Sequence, residues 1–188
     1  MGKVYAGLDD RLRQFISAQH VFFVATAPAG GGGHVNLSPK GYRDTFAVLG
    51  PRTVAYLDLT GSGAETIAHL RQNGRITIMF CSFAETPMVL RLQGAGRAVL
   101  PGQTDWAALA GCFPRVAARD AGRDGHRAII VAELDRIASS CGYSVPVMEL
   151  TGERDLLTRW TGRKTPGQLA AYRAERNAVS IDGLPALG

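Results

Sequence analysis

The chain has 188 residues, 46% of them hydrophobic and 20% charged, with a formal net charge of +5. That balance suits a globular chain with a real core and excludes a disordered one. No run reaches the ~18 apolar residues of a membrane span, and the stretch from Met1 to Leu12 lacks the apolar centre of a secretory leader, so a cytoplasmic protein is expected.

From Leu8 to Ala18 the spacing predicts a helix, with Leu8, Leu12, Phe15 and Ile16 on one face. His20 to Ala27 is β-branched and aromatic and reads as a buried strand. The glycine tract after Pro28 is a turn, and His34 to Leu37 resumes as the second arm of a hairpin. Ser38-Pro39-Lys40-Gly41 is expected to be a loop, fixed in φ at Pro39. Thr45 to Leu49 is short and apolar; Thr53 to Leu59 is the next strand.

The turn Thr60-Gly61-Ser62-Gly63 then leads into a helix. Ser62 stands three residues before Glu65, the spacing of a capping box, and Asn73-Gly74 supplies the stop. Hydroxyls and backbone N–H groups at a helix start form a good seat for a phosphate. The alternative is a capped turn that binds nothing.

Arg75 to Phe83 is another strand. In the run from Met88 to Leu100, Leu90, Leu92, Ala98 and Leu100 share one parity, while Arg91, Gln93 and Arg97 share the other, so one face packs and one meets water or a ligand. Gly94 and Gly96 suggest a bulge or bend. Thr104 to Cys112 reads as a short helix capped by Thr104, and Arg127 to Ser139 as a long strand. Beyond Thr151 the pattern turns helical: Thr151 to Trp160, then from Pro166 to about Asn177. The last residues read as coil that docks or frays. About six short strands with few helices between them point to a mainly β chain, an antiparallel barrel with peripheral helices. The expected organisation is a single domain over residues 1–188, with 151–188 as its helical C-terminal extension.

Arg115, Arg119, Arg123 and Arg127 cluster, diluted by Asp120 and Asp124, but no aromatic residues interleave with them. A solvated loop is expected there rather than a nucleic-acid surface, and a small anionic ligand fits the basic excess equally well. Cys81, Cys112 and Cys141 are odd in number and widely spaced, so they read as reduced thiols; Cys141 is expected to be a buried small residue, with a redox thiol as the alternative. His20, His34, His69 and His126 lack metal-ligand spacing. His69, in mid-helix, reads as a surface or packing residue. No nucleophile elbow, Walker lysine or complete dinucleotide fingerprint occurs. A chain whose bound cofactor does the chemistry needs no catalytic constellation of its own.

The segments HVNLSPKG, FAVLGPRTVAYLDLTGSGAETIAHLRQNGRITIMF and VLRLQGAGRAV resemble the pyridoxamine 5′-phosphate oxidase-like flavoproteins. The resemblance spans about residues 14 to 140. It implies the FMN-binding split barrel, an antiparallel six-stranded barrel that works as a homodimer with FMN across the interface. Carried over by position, Asn36, Leu37 and Ser38 would line the flavin, and Lys40 would lie near its phosphate. Leu59 and Thr60 would follow the ring edge. Ser62 and Thr66 would bond the phosphate, and Arg91 and Gln93 would reach in from the long strand. The vitamin B6 oxidases place basic residues where this chain has Ala64, Glu65 and Thr66, and their C-terminal arginine motif is not recognisable. Segment 140–146 would cover the flavin's face. The implied activity is an FMN-dependent oxidoreductase acting on a small molecule, with no metal, membrane or nucleic-acid partner. The same barrel can hold F420, with the basic stretch from Arg115 to Arg127 as a groove for its tail. It can also hold haem, ligated by His20 or His34, or store a flavin without turnover.

Overall fold

The computed structural model describes residues 2–114 and 125–188. Its strands are β1 (Lys3–Tyr5), β2 (Phe22–Thr26), β3 (Asn36–Lys40), β4 (Phe46–Val48), β5 (Thr53–Leu59), β6 (Arg75–Cys81), β7 (Val89–Val99) and β8 (His126–Ser140). Its helices are α1 (Asp10–Ala18), α2 (Glu65–Asn73), α3 (Trp106–Ala110), α4 (Leu156–Gly162) and α5 (Pro166–Arg176). The strands form one eight-stranded antiparallel sheet in the order β3-β2-β6-β7-β8-β5-β4, with β1 added beside β8. It is a split barrel, with two more strands than the six expected. The three-residue β1 is too short to signal itself by periodicity. Its register is supplied by β8, through Lys3 opposite Ser139 and Tyr5 opposite Ile137.

Alternation decides which side chains meet inside. Val54 and Tyr56 of β5, Ile76, Ile78 and Phe80 of β6, and Leu90 and Leu92 of β7 face the main core with Leu12 and Ile16 of α1 and Ile67 and Leu70 of α2. Ala98 and Leu100 pack on the same core, as their parity predicts. The opposite faces of β5 and β8 are also covered: Ala55, Leu57, Ile129 and Val131 form a second core with Phe113, and α3 packs on it through Trp106 and Leu109. Burial on both faces explains why these strands read as apolar runs rather than as alternating ones.

Gly94 of β7 and Gly74 after α2 have distinct tasks. The β7–β8 register shifts between Gln93 and Gly94, a bulge that leaves Asp135 without an opposite residue. A Cβ on Gly94 would stand 1.9 Å from the Glu133 carbonyl oxygen. Gly74 ends α2 with φ 70°, and its N–H donates to the Leu70 carbonyl.

Several local expectations need correction. Ser38 to Lys40 belong to β3, not to a loop; β3 is an edge strand, where Pro39 breaks no ladder bond that the sheet requires. The capping box at Ser62 does not form. Helix α2 begins at Glu65 with Ala64 as its cap and no side-chain cap bond. The Glu65 carboxylate turns instead to the Ile181 N–H, at 3.2 Å. Asp105, not Thr104, precedes α3, and α4 begins at Leu156, five residues after Thr151. Helix α5 starts as expected at Pro166, with a capping box from Thr165 and Gln168.

Candidate functional site

Strand β5 carries one acid, Asp58, into an otherwise apolar run, and it is 1% exposed. A buried carboxylate needs partners, and it has two. Lys40 Nζ, from β3, donates to Oδ1 at 3.0 Å, and Arg127 Nε donates to Oδ2 at 2.8 Å. A bulge delivers the arginine: Asp58 pairs with Ala128 and Leu59 with His126, so Arg127 is left without an opposite residue. Its Nη1 also donates to the Gly61 carbonyl at 3.3 Å. Burial pushes the Asp58 carboxyl up, but Lys40 and Arg127 together outweigh it and hold it below the usual carboxylate range. Two cations on one carboxylate leave this trio with a net positive charge beside the turn that opens α2.

The turn is held from the C-terminal segment. Thr60 is fully buried, and its Oγ1 accepts from Arg173 Nε at 3.0 Å. The Gly61 carbonyl accepts from Asn177 Nδ2 at 3.0 Å. Ser62 and Gly63 remain exposed, in front of a helix start without a side-chain cap.

A polar chain runs behind α2. Asn36 Nδ2 donates to Thr66 Oγ1 at 3.1 Å and to Thr26 Oγ1 at 3.3 Å, and Thr26 Oγ1 lies 3.0 Å from His69 Nδ1. Thr66, Thr26 and His69 are buried. Among the described residues His69 Nε2 and Tyr56 Oη are buried without a hydrogen-bond partner. Burial first, then the Asp58 charge, pushes the Tyr56 phenol well up.

Asn36, Ser38, Lys40, Leu59, Thr60, Ser62 and Thr66 thus lie around one corner formed by β3, the end of β5 and the start of α2. Leu37 does not join them; it stands on the opposite face of β3, 66% exposed. Arg91 and Gln93 share a face of β7, as their parity predicts, but they form a separate group. Arg91 Nη1 donates to Ser140 Oγ at 3.1 Å, and Gln93 Oε1 accepts from Arg136 at 3.0 Å. Among the described residues neither bonds the turn.

An open cavity of about 600 Å³, lined by Arg13, Ile16, Phe22, Phe46 and Phe80 among others, contains none of the ten residues expected at the site. A smaller one of about 360 Å³ includes Gln93. Sequence reasoning missed Asp58, Arg173 and Asn177. The one available signal was the lone acid in TVAYLDL, which demanded a cation from elsewhere. Arg115, Arg119 and Arg123 lie outside the described residues. Cys141 is exposed, not buried, and the Tyr143 N–H, then those of Gly142 and Cys141 itself, lower its thiol pKa. Among the described residues no group of three His, Cys, Asp or Glu side chains could hold a metal, and no helix is long and apolar enough to cross a membrane.

The family model for pyridoxamine 5′-phosphate oxidase matches residues 8–141. A pyridoxamine 5′-phosphate oxidase family protein of Aspergillus flavus, ustO, is 40% identical over 199 residues, covering 97% of this chain and 77% of the relative. Two solved structures share the fold. An FAD-binding protein from Mesorhizobium loti superposes with a TM-score of 0.51 at 13% identity, over 74% of this chain and 97% of that one. A haem-binding protein from Mycobacterium smegmatis gives 0.50 at 18% identity, over 70% and 53%. On the matched sequence and the split barrel together, this chain belongs to the pyridoxamine 5′-phosphate oxidase-like family.

Proposed function

We propose that the chain binds FMN across the interface of a homodimer and acts as an oxidoreductase on a small molecule. The observation that carries this reading is the corner at Asp58. Lys40 and Arg127 stand on one buried carboxylate, next to the exposed Ser62 and a helix start whose cap makes no side-chain bond. A helix N-terminus flanked by cations and a hydroxyl suits a phosphate, so the residues present fit the tail of FMN. Bound there, FMN would supply hydride acceptance and donation. The protein's part is to grip the phosphate, orient the ring and govern access.

What one chain leaves apart supports the dimer. Among the described residues Arg91 and Gln93 do not reach the turn, and Val35, just before β3, and Leu37 within it are exposed apolar side chains, at 74% and 66%. A second copy would cover them and bring its own Arg91 towards the ring. Membership of the family and the fold shared with a flavin-binding protein support the reading.

The fold shared with a haem-binding protein supports a second reading, in which His20 or His34 is the axial ligand. F420, which the same barrel can hold, is the third. An absorbance spectrum of the purified protein, with mass analysis of the released cofactor, separates all three. Flavin bands with a mass equal to FMN are expected, and a Soret band or a deazaflavin spectrum would overturn the choice of FMN.

A further inference from the structure

The family match ends at residue 141, yet the residues that close the corner come from beyond it. Helix α5 sends Arg173 to Thr60, and Asn177 to Gly61 follows. The next residues fold into a small hairpin of their own. Val179 bridges Pro185, Ser180 N–H donates to the Leu184 carbonyl at 2.8 Å, and Gly183 turns with φ 74°. This strap is laid over the start of α2. The Ile181 N–H meets the Glu65 carboxylate. Asp182 takes the His34 N–H on Oδ2 and His34 Nδ1 on Oδ1, both at 2.7 Å, and so reaches the β2–β3 loop. Arg71 Nη1 donates to the Gly188 carbonyl at 3.1 Å. Asn177 and Ala186 are fully buried, and Ala186 joins the main core.

Two consequences follow from this arrangement. Thr60 and Thr66, which the cofactor reading puts against the ligand, are 0% and 5% exposed, and segment 173–188 is bonded to the same turn. And while Leu184, Ala186 and Leu187 anchor the strap on the main core, its tip is held by single, exposed polar contacts of Ile181 and Asp182, the composition of a unit that opens below the global unfolding energy.

We propose that the strap's tip, residues 180–183, forms a gate at the α2 start, which must open for the cofactor's phosphate to pass from the exposed Ser62 to the buried Thr66. The gate rests on the reading that FMN binds at this corner, but its opening can be measured without any ligand. Asp182→Asn removes the charge that holds His34 and leaves the core untouched.

Hydrogen exchange on the full chain provides the first arm. In Asp182→Asn the amides of the first α2 turn should lose at least about twofold in protection, as loss of an exposed ion pair allows, while β8 amides keep theirs. Equal protection in variant and parent would overturn the gate. Stopped-flow quenching of FMN fluorescence provides the second. Association and dissociation should both quicken in the variant, with the equilibrium constant nearly unchanged; a structural defect would instead raise dissociation alone. Should the parent chain fail to bind FMN, the cofactor reading falls and the exchange arm still judges the strap. Looser exchange with unaltered FMN rates would show a tether that is not a gate, and would overturn the proposal.

Discussion

Arg127 and Asp58 meet at 2.8 Å where β5 and β8 lose register by one residue. The bulge that frees Arg127 from the ladder also turns it onto the only carboxylate buried in β5. Lys40 arrives from the edge strand at the other oxygen. An element boundary, a charge pair and the candidate anion seat therefore have one cause.

Replacing that acid tests the arrangement. Asp58→Ala leaves two cations facing each other beside the core. Stability should fall by about 3–5 kcal/mol, the usual cost of removing one partner from a buried ion pair, as read by urea denaturation. A loss below about 1 kcal/mol would mean that water already solvates the pair.

Gly94 is a second point of no tolerance. A methyl group there would sit 1.9 Å from the Glu133 carbonyl oxygen, which belongs to the neighbouring backbone. Gly94→Ala should cost about 3 kcal/mol or more, whereas Gly102→Ala, with open space around it but φ 88°, should cost only the smaller strain of a left-handed backbone, about 1 kcal/mol. Thermal melts of the two variants give the comparison.

The strap should respond to pH. The Asp182 hydrogen bond, then its charge, raises His34 above its ordinary value. The His34 backbone N–H, then its side chain, lowers Asp182. His69 also faces Asp182, and Glu65 holds the strap one residue earlier. The His34 contribution is therefore complete below the ordinary imidazole range and fades as pH rises through the raised value. The Asp182 contribution is complete above the ordinary carboxyl range and fades as pH falls through the lowered one. Protection of residues 177–188, corrected for intrinsic exchange, should decline as pH rises through the raised His34 value, and His34→Gln should flatten that decline. The same decline in the variant would remove His34 as its source.

Much of the barrel was legible because it is written locally. The apolar run from Thr53 to Leu59, the parity of Arg91 and Gln93 against Leu90 and Leu92, and the Asn73-Gly74 stop each need only neighbouring residues to be read. What failed depends on distant partners. Glu65 has the spacing of a capping box, but its carboxylate is taken by Ile181, 116 residues away. Pro39 looks like a loop until the edge position of β3 is known. Arg127 reads as one more arginine in a charged stretch until the bulge aims it. The corner around Ser62 and Thr66 could be expected from its hydroxyls, whereas Arg173 and Asn177 approach it from a helix whose own pattern shows only a capped, amphipathic surface.

The most direct test compares FMN with riboflavin, which differ only in the phosphate, by fluorescence quenching on the intact protein. The corner at Lys40, Arg127 and the α2 start should make FMN bind tighter by about tenfold or more, the worth of a charged hydrogen bond. Lys40→Met, which leaves Arg127 to compensate Asp58, should shrink that preference while riboflavin binding stays put. Equal affinity for the two flavins in the parent chain, or binding of neither, would contradict a phosphate seat at this corner.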